Sequence, residues 1–272
     1  MIPAEEHLRA IRDELEQEQE QALRAPTAVE AEALIRLDNV SLSFERPVLQ
    51  DVSMVAREGE TLMVVGESGS GKSTILKLIL RLLVPDSGTI WVFGHDIGHM
   101  SFQEALEMRR RIGMVFQNAA LFDSLTIYEN VAYPLRENAD LDEGEIERVV
   151  RERLDFVDLD PDQVMTQLPS QLSGGMRKRV GIARAIATDP KVILYDEPTS
   201  GLDPLTVGTI NALIRKLQRE LRVTSLVVTH DIRAGFRVAN RVNLLRDGRM
   251  VFEGSPEEMV AENDTYIKEF LS

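Results

Sequence analysis

The densest set of phosphate-holding groups in the chain is Gly66-Glu67-Ser68-Gly69-Ser70-Gly71-Lys72-Ser73-Thr74. Gly66, Gly69 and Gly71 let the backbone turn so that successive N–H groups face one concavity. Lys72 brings a point charge long enough to reach β- and γ-phosphates. Ser73 brings a hydroxyl oxygen of the hard type that magnesium prefers. A run of two spaced glycines, a lysine and a Ser/Thr arises by chance in roughly one chain per hundred of this length. Its surroundings make chance less credible. The apolar Thr61-Leu62-Met63-Val64-Val65 precedes it and an amphipathic stretch through about Leu83 follows, so the loop joins a buried strand to a helix whose positive end attracts anions.

Three further apolar runs also end in groups that can do chemistry. Ile112 to Phe116 ends in Gln117, Val192 to Tyr195 in Asp196-Glu197, and Ser225 to Thr229 in His230. In an open parallel sheet, ligands sit beyond the carboxyl ends of the strands, so four such runs would bring these groups to one crevice. Taken singly, Gln117 reads as a turn residue and His230 as a structural histidine; beside a phosphate loop they read as a site. There Asp196 would hold magnesium together with Ser73 and Gln117. Glu197 would orient and deprotonate an attacking water, and His230 would bind the γ-phosphate. Phosphoryl transfer needs mainly positioning and charge stabilisation, and this inventory supplies both.

A second anion site follows later. Leu172-Ser173-Gly174-Gly175-Met176 precedes an amphipathic helix read over Arg177–Ala187, with Ser173 suited to cap it and Gly174 and Gly175 exposing N–H groups at its start. The first loop already cradles one nucleotide's phosphates. The second is therefore expected to serve the nucleotide of a neighbouring copy, in a head-to-tail homodimer sharing two ATP molecules.

The elements that position these groups are short strands alternating with helices, preceded by alternating apolar and polar residues over Ile35–Phe44 and Val48–Ala56. Of the 272 residues 43% are hydrophobic, enough for a sizeable core, and there is no cysteine. No apolar run approaches the ~20 residues of a spanning helix, and the start of the chain has no secretory pattern. Any membrane role is thus expected to run through a partner. A formal charge of −14 argues against a nucleic-acid surface. The first 30 residues hold eight acidic side chains, with Leu8, Ile11, Leu15 and Leu23 near helical spacing and Arg24-Ala25-Pro26-Thr27 as a stop. His95 and His99 lie four apart, but Gly94 and Gly98 make a turn there, so they read as surface residues and not a metal pair.

In this order the motifs resemble those of the ABC ATPase family across roughly Ile35 to Ser272. By that resemblance Gly66–Thr74 matches the Walker A loop, Gln117 the Q-loop, Leu172–Met176 the signature, Val192–Glu197 the Walker B strand, Ser200–Asp203 the D-loop and His230 the switch histidine. It also puts Phe44 where an aromatic residue stacks on adenine, and adds Asp203 to the nucleotide-binding set. Met176 and Phe44 depart from the family's usual glutamine and tyrosine while keeping the backbone and stacking roles. The resemblance implies an α/β fold, a P-loop NTPase with a RecA-like core, an antiparallel β-subdomain and an inserted helical subdomain at about 118–180. Residues 1–32 are expected to form an acidic helical extension and linker, and 33–272 the ATPase domain. ATP and Mg2+ are the implied ligands and ATP hydrolysis the implied activity. Implied partners are a second copy and membrane permease subunits, with the chain peripheral on the cytoplasmic face of the membrane.

The interval from Lys72 to Ser173 is too short for the long coiled coil of chromosome-maintenance relatives. No internal repeat gives the paired cassettes of translation and repair relatives. Ala120-Leu121-Phe122-Asp123, Asn130 to Glu137 and Met176 are similar to ATPases of the Mla/MCE phospholipid transport systems, which work with an MlaE-type permease and an MCE-domain protein. With a last helix expected over Pro256–Leu271, the regulatory domain of sugar or methionine importers is not expected. An importer of amino acids, phosphate or another small solute would nevertheless share every catalytic residue, and a lipoprotein-releasing ATPase is a third reading.

Overall fold

The computed structural model describes residues 33–138 and 140–271. The helix and linker expected over 1–32 lie outside the described residues. Alternating side chains make β1 (Ala33–Ser43) and β2 (Pro47–Arg57) a long antiparallel pair with one face buried. Its contrast is β3 (Thr61–Val65), buried at every position, which leads through the glycine loop into α1 (Lys72–Ile79). Then come β4 (Ser87–Val92), β5 (His95–Asp96), α2 (Phe102–Arg110) and β6 (Ile112–Val115). A helical stretch follows: α3 (Ile127–Asn138), α4 (Glu143–Phe156), α5 (Pro161–Val164) and α6 (Gly174–Ala185). The remaining elements are β7 (Val192–Asp196), α7 (Pro204–Leu221), β8 (Thr224–Thr229), α8 (Ile232–Phe236), β9 (Arg241–Arg246), β10 (Arg249–Gly254), α9 (Pro256–Ala261) and α10 (Thr265–Leu271).

Two sheets result. One has the order β2-β1-β4-β5 and is antiparallel; the other runs β10-β9-β3-β8-β7-β6, parallel from β9 to β6 with β10 antiparallel at its edge. This is the α/β class expected from the sequence, with its antiparallel sheet and inserted helices. Between the sheets lies a core built around Leu37, Met54, Leu62, Val64 and the inner face of α1. A second core joins α3, α4 and α6 to β7 and α7 through residues such as Val131, Val150, Ile182, Tyr195 and Ile214.

Register places the chemistry. Val65 pairs with Thr229, Asp196 with Val228, and Val115 with Tyr195, so β3, β8, β7 and β6 end level with one another. Residues immediately beyond those ends share one edge of the sheet. Among the described residues no helix is long and apolar enough to cross a membrane.

Three boundaries differ from expectation. The first helix stops at Ile79, before Leu83, because Leu80 ends it, Arg81 turns left-handed, and Arg109 from α2 donates to the carbonyls of Leu80 and Arg81. The signature helix begins at Gly174, ahead of Arg177, since Ser173 caps it through Met176 N–H. The last helix is two: Glu262 is extended, and Asp264 Oδ1 then accepts from the amides of Tyr266 and Ile267 to start α10.

Candidate functional site

Close packing and backbone geometry explain the glycines of the phosphate loop. A Cβ at Gly66 would lie 2.2 Å from the carbonyl oxygen of Leu245 in β9, so no side chain fits there. Gly71 has a φ of 105° and caps α1, where a Cβ would also strike Leu49 of β2 at 2.8 Å. That contact joins the loop to the strand following the β1–β2 turn, which carries Phe44, 63% exposed. Within the loop Ser70 N–H donates to the Glu67 carbonyl and Thr74 N–H to that of Gly71, while Ser68 and Gly69 stand exposed. The Ser70 hydroxyl is buried without a hydrogen-bond partner in the protein, as a group meant for an external anion would be.

Lys72 is 6% exposed and folds back over the loop, its ammonium donating to the carbonyls of Gly66 at 2.7 Å and Glu67 at 2.8 Å. Burial pushes its pKa below the usual lysine range, and the negative charges of Glu197 and Asp196 oppose the shift. Ser73 Oγ donates to Asp196 Oδ1 at 2.8 Å across the gap between α1 and β7. Two hard oxygens so placed suit Mg2+.

Glu197 follows directly. Its φ is 48°, in the left-handed region, and its N–H donates to the Val228 carbonyl of β8. That conformation turns its carboxylate to the end of β8, where Oε2 accepts from Thr229 Oγ1 at 3.0 Å and lies 2.9 Å from His230 Nδ1. Gln117, exposed after β6, donates from Nε2 to Ser200 Oγ at 3.3 Å, and Ser200 N–H donates to the Glu197 carbonyl. Lys72, Ser73, Gln117, Asp196, Glu197 and His230 thus gather at one sheet edge.

Ser173, Gly174, Gly175 and Asp203 form a separate group. Gly174 and Gly175 face Leu202 and Thr206, with a Cβ at Gly175 only 2.5 Å from Thr206 Cγ2. Asp203 caps α7, accepting from the amides of Leu205 and Thr206 and from the Thr206 hydroxyl; the two Thr206 bonds hold its carboxyl below the ordinary aspartate range. His99 pairs with Asp96 at the surface, and among the described residues no three or more His, Cys, Asp or Glu side chains gather as a metal site.

Reading the sequence passed over Lys178 and Arg184. Lys178 is 5% exposed and donates to the carbonyls of Gln117 and, at 3.2 Å, Glu197. Arg184 donates to the carbonyls of Ala119 and Ala120 at 2.7 Å. A signal for Lys178 existed: it shares the buried face of α6 with Gly181, Ile182 and Ala185, where a lysine needs a partner.

Beside the loop after Gln117 lies a groove of about 300 Å³, lined by Met114, Phe116, Ala120, Phe122, Tyr133 and Pro134 among others. Phe116, Phe122 and Tyr133 are each more than 40% exposed there.

Comparison with known proteins identifies the family. A family model described as ABC transporter matches residues 49–200. The intermembrane phospholipid transport system ATP-binding protein MlaF of Haemophilus influenzae is 37% identical over 239 residues, 88% of this chain and 90% of that protein. The methionine import ATP-binding protein MetN of Corynebacterium efficiens is 40% identical over 241 residues; the match spans 89% of this chain and 66% of MetN. Among solved structures, a dimeric ATP-binding cassette in a post-hydrolysis state with ADP and Pi superposes with a TM-score of 0.75 at 35% identity, covering 82% of this chain and 98% of that one.

Proposed function

The chain belongs to the ABC transporter family as an ATP-binding, ATP-hydrolysing subunit, and from this we propose that it energises movement of phospholipid between membranes. ATP would lie with its phosphates in Gly66–Thr74 and its base toward Phe44. Glu197, backed by Thr229 and by His230, would take a proton from the attacking water, and Lys72 would meet the charge that develops on the γ-phosphate. Ser73, Asp196 and Gln117 would hold Mg2+, whose charge offsets that of the phosphates. The Ser173 loop would complete the site of a second copy, head to tail. Closure of that dimer on ATP and opening after hydrolysis would move the permease.

One observation carries the substrate reading. The residues resembling the phospholipid group, Ala120, Phe122, Tyr133 and Pro134, line the exposed apolar groove beside Gln117. A permease segment seated there would feel the state of the nucleotide site directly, so this is where transporter identity would be written. The chain would then work at the cytoplasmic face of the membrane with an MlaE-type permease and an MCE-domain protein. Small-solute import is the second reading, favoured by the 40% identity to MetN.

Reconstitution with a candidate permease separates the two. ATP-dependent transfer of fluorescent phospholipid from proteoliposomes, and an adjacent MCE-domain gene, are expected. ATP turnover stimulated by methionine or another solute through a periplasmic binding protein, with no lipid movement, would overturn the lipid assignment.

A further inference from the structure

Lys178 stands one turn into the helix that Ser173 caps, so the helix presenting the second anion loop also carries a buried cation bonded to the main chain of two site residues. The ammonium bridges two carbonyls from different strand ends, Gln117 beyond β6 and Glu197 beyond β7. Those residues are joined a second way, because Gln117 Nε2 reaches Ser200 Oγ and Ser200 N–H reaches the Glu197 carbonyl. Lys178, Gln117, Ser200 and Glu197 therefore close a hydrogen-bonded ring.

The ring encloses a strained residue. A non-glycine side chain at a φ of 48° occupies a sparsely populated region and persists only where its surroundings hold it. Glu197 is held to the sheet by its N–H bond to Val228 and, at its carbonyl, by Ser200 N–H and Lys178. Loss of the Lys178 bond would leave that carbonyl to Ser200 N–H alone, let the peptide relax and swing the carboxylate away from Thr229 and His230. On the Gln117 side, Ala119 and Ala120 are also left-handed, their carbonyls are held by Arg184, and Gly181 packs against Ala119. One helix thus fixes both the loop after Gln117 and the turn at Glu197.

We propose that Lys178 is a positioning residue for ATP hydrolysis, tying the backbones of Gln117 and Glu197 to the signature helix so that the Glu197 carboxylate points into the nucleotide site. This rests on the ATPase reading above. Lys178 makes no bond to the phosphate loop; its bonds are to the Gln117 and Glu197 main chains, so its effect belongs to turnover and not to ATP capture.

The test compares the full-length wild type with Lys178→Met, which keeps length and loses the donors, and with Lys178→Arg, which keeps both charge and donors. Steady-state phosphate release, equilibrium binding of a fluorescent ATP analogue and thermal melting are measured on each. Lys178→Met is expected to lower kcat at least ~10-fold while KM for ATP and analogue affinity stay within about threefold, and Lys178→Arg to recover most of the rate. In a Glu197→Gln background the methionine change should cost less than about twofold further, because both act through one carboxylate. Should Lys178→Met melt below assay temperature, Lys178→Gln, shorter and with a single amide donor group, must show a smaller kcat loss of several-fold at constant KM.

A wild-type kcat in the methionine variant, a parallel fall of kcat and ATP affinity, or full additivity with Glu197→Gln would overturn the proposal. Absence of hydrolysis by the wild type under all conditions, permease included, would instead sink the ATPase reading itself, which keeps the two failures apart.

Discussion

Glu197 and His230 meet at 2.9 Å, carboxylate Oε2 to ring Nδ1, although they follow two different strands. The β7–β8 register that pairs Asp196 with Val228 produces this encounter, and Thr229 supports it with a hydroxyl bond to the same oxygen. The arrangement leaves Glu197 as the acceptor and His230 as a side chain 56% exposed toward the crevice. Glu197→Gln is nearly isosteric and removes the base. Phosphate release should fall about a hundred- to ten-thousand-fold, with equilibrium ATP binding retained. A variant turning over at the wild-type rate would remove Glu197 from the chemistry.

The sequence showed the phosphate loop and strand ends plainly because those residues perform their tasks locally: a glycine turn, a capped helix, a carboxylate after a buried strand. It did not show what holds them. Lys178 lies far along the chain from Gln117, and only the packing of α6 against the loop after β6 brings them together. The left-handed turn at Glu197 was equally silent, since glutamate has no composition signal for it. Helix limits failed for a related reason. Arg109 caps α1 from another helix, a tertiary bond that no local pattern announces.

Gly66 is required by space. An alanine there would place Cβ 2.2 Å from the Leu245 carbonyl, a backbone atom that cannot step aside. Gly66→Ala should therefore shift the loop, weaken ATP binding at least ~10-fold and lower the melting temperature by several degrees. Gly69, at a φ of 82° with nothing within 4 Å of a built Cβ, is the contrast: Gly69→Ala should cost about 1 kcal/mol of conformational strain and a smaller loss of affinity. Isothermal titration with ATP on both variants ranks them, and equal affinities would refute the spatial argument.

Asn130 explains one motif residue without invoking transport. It is fully buried in α3, where Nδ2 donates to the carbonyls of Phe122, Leu125 and Thr126 and Oδ1 accepts from Phe122 N–H at 2.8 Å. Its side chain thus fastens the loop that carries Phe122 into the apolar groove. Asn130→Ala removes the side-chain partner of the Phe122 N–H and of the Leu125 carbonyl, while the Phe122 and Thr126 carbonyls keep the amides of Leu125 and residue 130, and should destabilise the protein by about 2 kcal/mol. A urea titration reads this as a lower midpoint at unchanged slope, and a midpoint equal to wild type would mean that water replaces the amide without cost.

The second anion loop tests assembly. Ser173 caps α6 through its own Met176 amide, and Gly174 and Gly175 pack on Leu202 and Thr206, so the loop is rigid within its subunit. A rigid donor loop grouped apart from Lys72 suits a partner's phosphates. Glu197→Gln protein, which binds ATP without consuming it, should sediment as a dimer with ATP and a monomer without. Adding Ser173→Arg places a bulky side chain at the helix cap. It should restore the monomer in the presence of ATP while leaving the monomer's own ATP affinity within about threefold, because the Gly66–Thr74 loop is untouched. If Ser173→Arg instead abolished ATP binding by the monomer, the loop would be serving its own subunit's nucleotide, and the head-to-tail arrangement would have to be abandoned.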